Sequence, residues 1–196
     1  MKKEVLRSYI SDVLHPLKTK QRIFEYYKDS LFLHEIFGEQ IYYWLSKRLR
    51  SDTTLIDLGA NMGDTASYFT LFPQVKLLIG YECDQRTYER ALDFLKKNPY
   101  SGKIKLYRKE VGREITLNEI LEGHKRIAIK CDIEGAEHKI FTDEADLSNV
   151  YAIQMEYHYN LQRLPAVLRS KGFKVETKQW KRNAEMKRIG DLRAWR

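Results

Sequence analysis

The segment Leu55-Ile56-Asp57-Leu58-Gly59-Ala60-Asn61-Met62-Gly63-Asp64-Thr65 sits where an apolar run gives way to a helical pattern. Glycines at such a turn let the backbone approach a ligand closely and adopt conformations that other residues resist. The spacing is Gly-x-x-x-Gly with Asp57 two residues ahead, which differs from the dinucleotide fingerprint Gly-x-Gly-x-x-Gly. A pyrophosphate wants open amides at a helix N-terminus. A carboxylate at the strand end suits instead a cationic group, such as the amino group of a methionine moiety. Glu82, in Tyr81-Glu82-Cys83-Asp84, follows Gly63 by 19 residues. That is close to the ~20 expected of an acid that binds ribose hydroxyls, and a carboxylate can accept two hydrogen bonds from a vicinal diol. A glycine pair alone is often a tight turn, and an acid after a strand is often a helix cap. In this order and at this separation, the two together favour a nucleoside-binding α/β domain.

A second group of chemistry-bearing residues comes later. Asp132 falls at the carboxyl end of an apolar run, where α/β proteins bind ligands, and a carboxylate there can hold a substrate hydroxyl or accept its proton. Glu134 and Glu137 are expected to start the next helix. Acids favour a helix N-terminus, which accounts for Glu137 and leaves Glu134 open. Lys130 is costly to bury alone, so it calls for an ion pair, with Glu156 as one partner. Glu156 and His158 end the following apolar run and share a face by strand alternation. An imidazole with an ordinary pKa near ~6.5 can act as general base on an unactivated hydroxyl, against the alternative of a structural histidine. Asp132, Glu134 and Glu156 could also gather a divalent cation through oxygen ligands, but nothing in the spacing requires it and no metal is assigned.

These groups need a scaffold that brings several strand ends together. Residues 53–57, 75–81, 103–107, 127–131 and 151–155 read as short apolar strands, with helices over 64–71, 85–97, 117–122 and 161–171. Near-continuous apolar strands alternating with helices argue for a parallel sheet covered on both faces. Phe173 to Trp180 and Ile189 to Trp195 read as two further strands in an antiparallel hairpin. Residues 1–50 show helical periodicity in three stretches and form an N-terminal helical extension to a domain spanning 51–196.

Several of these segments resemble one family. Asp57-Leu58-Gly59-Ala60-Asn61-Met62-Gly63 resembles motif I of class I S-adenosylmethionine-dependent methyltransferases in the form found in the FkbM-type family. Ile129-Lys130-Cys131-Asp132-Ile133-Glu134-Gly135-Ala136-Glu137 is similar to that family's fourth-strand signature Ile-Lys-x-Asp-x-Glu-Gly-x-Glu. Asn98, Thr116-Leu117, Glu156-Tyr157-His158 and Leu168-Arg169-Ser170-Lys171-Gly172-Phe173 follow in the family's order, so the resemblance covers roughly residues 38–196. It implies an α/β Rossmann-like class I methyltransferase fold, with a mostly parallel seven-stranded sheet ending in an antiparallel hairpin. It implies S-adenosyl-L-methionine as cofactor, with Gly59, Ala60, Asn61 and Gly63 around its methionine and ribose and Glu82 on the ribose hydroxyls. Asp57 either orients the glycine turn or touches the ligand. Cys83 joins the cofactor set by position, although both it and Cys131 also read as small buried fillers. Lys109 and Glu110 are candidates beside the adenine. Asp132, Glu156 and His158 are the catalytic candidates. The first 37 residues lie outside the motifs and are open to roles in substrate specificity, as a lid or in an oligomer contact.

Composition narrows the partners. Hydrophobic residues make up 43% of the 196, enough for a core, so disorder is not the default. No apolar run approaches the ~20 residues of a membrane span, the N-terminus does not read as a signal peptide, and two cysteines are too few for a disulfide framework. The chain reads as cytoplasmic. The net charge of +8 is uneven: residues 1–50 carry 10 basic and 6 acidic residues, 51–150 carry 14 and 17, and 151–196 carry 11 and 4. The resemblance favours a small-molecule, sugar or glycolipid hydroxyl as methyl acceptor. RNA is the runner-up, through Lys178, Lys181, Arg182, Lys187, Arg188, Arg193 and Arg196 interleaved with Trp180 and Trp195. Lysines on an edge hairpin also serve simply to discourage strand pairing, the better explanation of the two. A third reading is a non-catalytic cofactor-binding scaffold.

Overall fold

Strand β1 (Thr53–Leu58) is buried at every position, which fits a central strand apolar on both faces. In the computed structural model, which describes residues 36, 41–158, 163–182 and 188–196, a short helix α1 (Tyr43–Ser46) precedes it. The chain then continues through α2 (Asp64–Thr70), β2 (Val75–Glu82), α3 (Gln85–Leu95), β3 (Ile104–Arg108), α4 (Leu117–Leu121) and β4 (Ile127–Cys131). It closes with α5 (Glu137–Ile140), β5 (Val150–His158), α6 (Arg163–Ser170), β6 (Lys174–Arg182) and β7 (Arg188–Trp195). The seven strands form one sheet in the order β3-β2-β1-β4-β5-β7-β6. β1 to β5 are mutually parallel, and β7 runs antiparallel to both β5 and β6. The strand order reverses between β1 and β4, and ligands of open α/β sheets bind at the carboxyl ends beside such a reversal.

The expected α/β architecture and terminal hairpin are both present. The fourth strand has the expected bounds, while β5 runs on past Met155 to His158, because its far end pairs with Ile189, Gly190 and Asp191 of β7. Side-chain alternation divides the core in two. Ile56, Ile79, Ile129 and Ile153 lie in one apolar cluster, and Leu55, Leu78, Ala128 and Ala152 lie in the other. Ile36 and Leu45 pack into the second cluster, so the described part of the N-terminal segment is joined to the core. The two more N-terminal periodic stretches expected to be helical lie outside the described residues, and the third forms a helix only over Tyr43–Ser46.

Local chemistry sets the helix starts. Asp84 caps α3 by accepting from the Thr87 amide at 2.8 Å. Thr116 and Glu119 form a reciprocal capping box at the start of α4. The turn after β4 departs from expectation: α5 starts at Glu137, and Glu134 and Gly135 precede it with φ of +53° and +104°. Among the described residues no helix is long and apolar enough to cross a membrane.

Candidate active site

The glycine turn after β1 is held by a buried polar assembly. Asp57 has no exposed surface and accepts from the Thr65 hydroxyl at 2.8 Å. It pairs with Lys130 Nζ at 3.1 Å. Lys130 Nζ also donates to the Gly59 carbonyl at 2.5 Å, which fastens the turn to β4. Burial pushes the Asp57 carboxyl up, against the opposing pull of Lys130 and Thr65. Burial acts on Lys130 in the other direction, but the Asp57 charge, with help from Tyr42 and Asp132, raises its pKa overall. The partner of Lys130 is therefore Asp57 and not Glu156. The reason is register: Asp57 and Lys130 face each other across β1 and β4, and Gln154 and Arg193 extend the same row across β5 and β7.

Gly59 has φ +79°, and a Cβ there would lie 1.8 Å from the Asp132 carbonyl oxygen. Only glycine lets the ends of β1 and β4 approach this closely. Gly63, at φ +85°, starts α2 and packs on Leu95. Asn61 donates its backbone N–H to Glu82 Oε2 at 3.0 Å, and the Asp84 amide donates to Oε1 at 2.8 Å. Each carboxylate oxygen keeps a further acceptor position. Glu82 opens onto a cavity of about 210 Å³ lined also by Gly59, Cys83, Lys109, Glu110, Asp132 and Glu134. A second cavity, of about 90 Å³, has Gly59, Ala60, Asn61, Tyr42, Lys130 and Asp132 in its wall. A third, of about 30 Å³, brings Asp132 together with Tyr42, Glu156 and Asp191. Asp132 belongs to all three.

Beside Asp132 stands a cluster built around His158, which is 4% exposed. Its Nδ1 lies 3.0 Å from Glu137 Oε1, and the same oxygen accepts the His158 backbone N–H at 2.6 Å. Glu137 Oε2 accepts from the Gly135 amide at 2.8 Å. A carboxylate only accepts, so Nδ1 carries a proton and Nε2 is turned towards Glu134 Oε2 at 3.3 Å and Glu156 Oε1 at 3.6 Å. The hydrogen bond to Glu137 raises the His158 pKa against the effect of burial, and the three glutamates add to it. Burial would push Glu137 up, but His158 and the backbone amides hold it below the usual carboxylate range. Glu156 is pushed up to about 7, first by burial and then by the Asp132 charge.

Of the cofactor candidates, Gly59, Ala60, Asn61, Glu82 and Cys83 line the cavities, while Asp57 and Gly63 lie beneath as supports of the turn. Lys109 and Glu110, the adenine-side candidates, line the Glu82 cavity. Cys83 is exposed rather than a buried filler, because the chain has left the sheet after Glu82; Cys131, inside β4, is buried. Asp132, Glu156 and His158 converge at the ends of β4 and β5. Sequence reasoning missed two contributors. Glu137 is fully buried and holds His158 from below, a role beyond that of a helix-start acid. Its spacing gave no sign of this, since His158 lies 21 residues away. Tyr42, an aromatic of the N-terminal segment, makes tilted ring contacts with Tyr68 and Phe69 and also lines two of the cavities. Burial raises its hydroxyl pKa against the pull of Lys130.

The basic hairpin is partly committed elsewhere. The Trp195 ring meets Trp44 edge-on at 5.7 Å, and the Arg48 guanidinium lies 4.0 Å from the Trp44 ring centre. Lys174, Glu176 and Lys178 are exposed on β6, the sheet's edge strand.

No protein-family model matches the sequence, and no curated protein matches it. Solved structures do match by shape. The chain is similar to a precorrin-6y C5,15-methyltransferase from Geobacter metallireducens, at 19% identity and a TM-score of 0.56, over 81% of this chain and 89% of that one. It is similar to M. capricolum TrmK in complex with S-adenosylhomocysteine, at 12% identity and a TM-score of 0.60, over 80% of this chain and 66% of that one. A human methyltransferase 10 domain containing protein matches at 17% identity and a TM-score of 0.54, over 80% of each. At these identities the likeness establishes the fold: this chain has the Rossmann-like α/β fold that these methyltransferases share.

Proposed function

We propose that the protein is an S-adenosylmethionine-dependent methyltransferase of the FkbM type, acting on a hydroxyl of a small molecule, sugar or glycolipid, with residues 51–196 as the cofactor domain and 1–50 as a helical extension. The observation that carries this is the position of Asp132, shared by the cavities beneath the glycine turn, beside Glu82 and beside Glu156. The residues suit the cofactor. Gly59 lets the ends of β1 and β4 close up in the cavity wall, where a Cβ would strike the Asp132 carbonyl, and Glu82 keeps acceptor positions for two ribose hydroxyls. When bound, S-adenosylmethionine supplies a methyl group on a sulfonium, activated for transfer.

The chain's own residues then do the remaining work. Glu82 binds the ribose, and the backbone from Gly59 to Asn61, clamped by Lys130, lines the methionine end. Asp132 and Glu156 flank the third cavity, where they orient an acceptor hydroxyl, and its proton passes to one of these carboxylates. His158, held in one orientation by Glu137, borders the same carboxylates. An RNA acceptor is the weaker reading, because Trp195 is engaged edge-on with Trp44.

The test is mass spectrometry of ligand that co-purifies with the protein, followed by transfer of labelled methyl to a panel of hydroxyl compounds and RNAs. Label on a hydroxyl oxygen is the expected result. Cofactor binding without turnover on any acceptor favours the scaffold reading, and label on RNA favours the runner-up.

A further inference from the structure

We infer that Asp132, Glu134 and His158 form a binding site for one divalent first-row cation beside the acceptor cavity, whose wall includes Asp132. One ligand atom from each of the three lies within 4.8 Å of the others. The 3.3 Å between His158 Nε2 and Glu134 Oε2 is close to one edge of an octahedron or tetrahedron of ligands at ~2.1 Å from a metal.

Three features distinguish this group from a patch of surface acids. It contains an imidazole, and that imidazole is buried and oriented: its Nδ1 is engaged by the fully buried Glu137, leaving Nε2 towards the carboxylates. Metal-binding histidines are typically held in this way by a second carboxylate. Asp132 Oδ1 is buried and has no hydrogen-bond partner among the described residues, so a cation would meet an unfilled acceptor. Finally, the three residues come from the end of β4, the turn after it and the end of β5, and they meet where the sequence intervals alone give no metal pattern. Two carboxylates with one imidazole suit Mn²⁺ or a similar cation, and the set leaves positions open. Asp132 also borders the third cavity, so an acceptor hydroxyl entering beside Glu156 can take one of them. The cation would fix that oxygen and favour its deprotonated form, with the proton passing to Glu156 in the same cavity wall. This role rests on the methyl-transfer reading; the site itself does not.

The experiment uses the full chain stripped with a chelator and titrated with MnCl₂, with free Mn²⁺ followed by electron paramagnetic resonance. One saturable site per chain is expected. Glu134 is exposed, with 85% of its side-chain surface open, so Glu134→Gln folds and should bind at least ~10-fold more weakly. Glu122→Gln, an exposed acid on α4's far end, should bind as the parent does. An absence of stoichiometric binding, or equal affinity in the Glu134→Gln protein, overturns the inference. S-adenosylhomocysteine is titrated by calorimetry into the same preparation. Mn²⁺ binding without nucleoside binding would overturn the methyltransferase reading and leave the cation site standing, and the reverse result would do the opposite.

Discussion

Replacing Gly59 by alanine tests how the site is assembled, because two separate penalties coincide at that residue. Its φ of +79° is left-handed, and a Cβ would sit 1.8 Å from the Asp132 carbonyl oxygen. Adopting such a conformation costs a non-glycine residue about 1–2 kcal/mol, and forcing atoms into a packed interior costs about 1–3 kcal/mol. The expected loss for Gly59→Ala is therefore about 2–5 kcal/mol, large against the ~5–15 kcal/mol of a typical domain. Two other glycines separate the contributions. Gly123 has φ +73° with nothing within 4 Å of a Cβ, so Gly123→Ala carries the conformational penalty alone. Gly102 has neither feature, and Gly102→Ala should be close to neutral or slightly stabilising. Chemical denaturation of the three variants should give Gly59→Ala as the least stable and Gly102→Ala as the most. Calorimetry with S-adenosylhomocysteine should show impaired binding only for Gly59→Ala, since the displaced carbonyl belongs to Asp132. If Gly59→Ala lost no more stability than Gly123→Ala, the close approach of β1 to β4 would not be what demands glycine there.

Lys130→Met leaves Asp57 buried and uncompensated and should cost about 3–5 kcal/mol, measured by denaturant unfolding; adding Asp57→Asn should recover part of it, and a simply additive double variant would refute the pairing. Glu82→Ala removes a carboxylate that holds the Asn61 and Asp84 amides and faces the cavity, so affinity for S-adenosylhomocysteine should fall about 10- to 100-fold by calorimetry. The Thr87 amide and hydroxyl hold the Asp84 carboxyl below its usual range. The cap's contribution is thus present above the unfolded value near ~3.9 and lost as pH falls through the lower folded value. The gap in melting temperature between the parent and Asp84→Ala should narrow from pH 7 to pH 3, and a constant gap would count against the cap. Binding to RNA should be weak; tight binding that falls steeply with salt would instead revive the basic hairpin as a substrate surface.

What could be read along the chain was what depends on near neighbours. Alternating apolar runs and helical stretches gave five parallel strands and the terminal hairpin, because strand and helix periods are local properties. The glycine turn and Glu82 were also legible. A strand-to-helix turn and the acid ending the next strand are kept at a near-constant interval by one intervening helix, and the observed cavity does bring the two together. The helix expected over 117–122 is observed at Leu117–Leu121, where Thr116 and Glu119 add a capping box.

The contacts that cross the sheet were not legible. Lys130 could be seen to need a carboxylate, but Asp57 was its partner only once β1 lay beside β4 in the observed register. Glu137 and His158 are 21 residues apart, and their contact depends on a left-handed turn at Glu134 and Gly135 and on β5 running to His158. Tyr42 entered the site because its segment is tied to β5, with Gln154 Nε2 donating to the Ile41 carbonyl at 2.7 Å. The sequence by itself determined the class of fold and the glycine turn after β1, since both follow from backbone conformation and periodicity over short spans. The tertiary structure alone decided which carboxylates face which cations, because that depends on strand order and register, which place residues far apart in the chain within hydrogen-bonding distance.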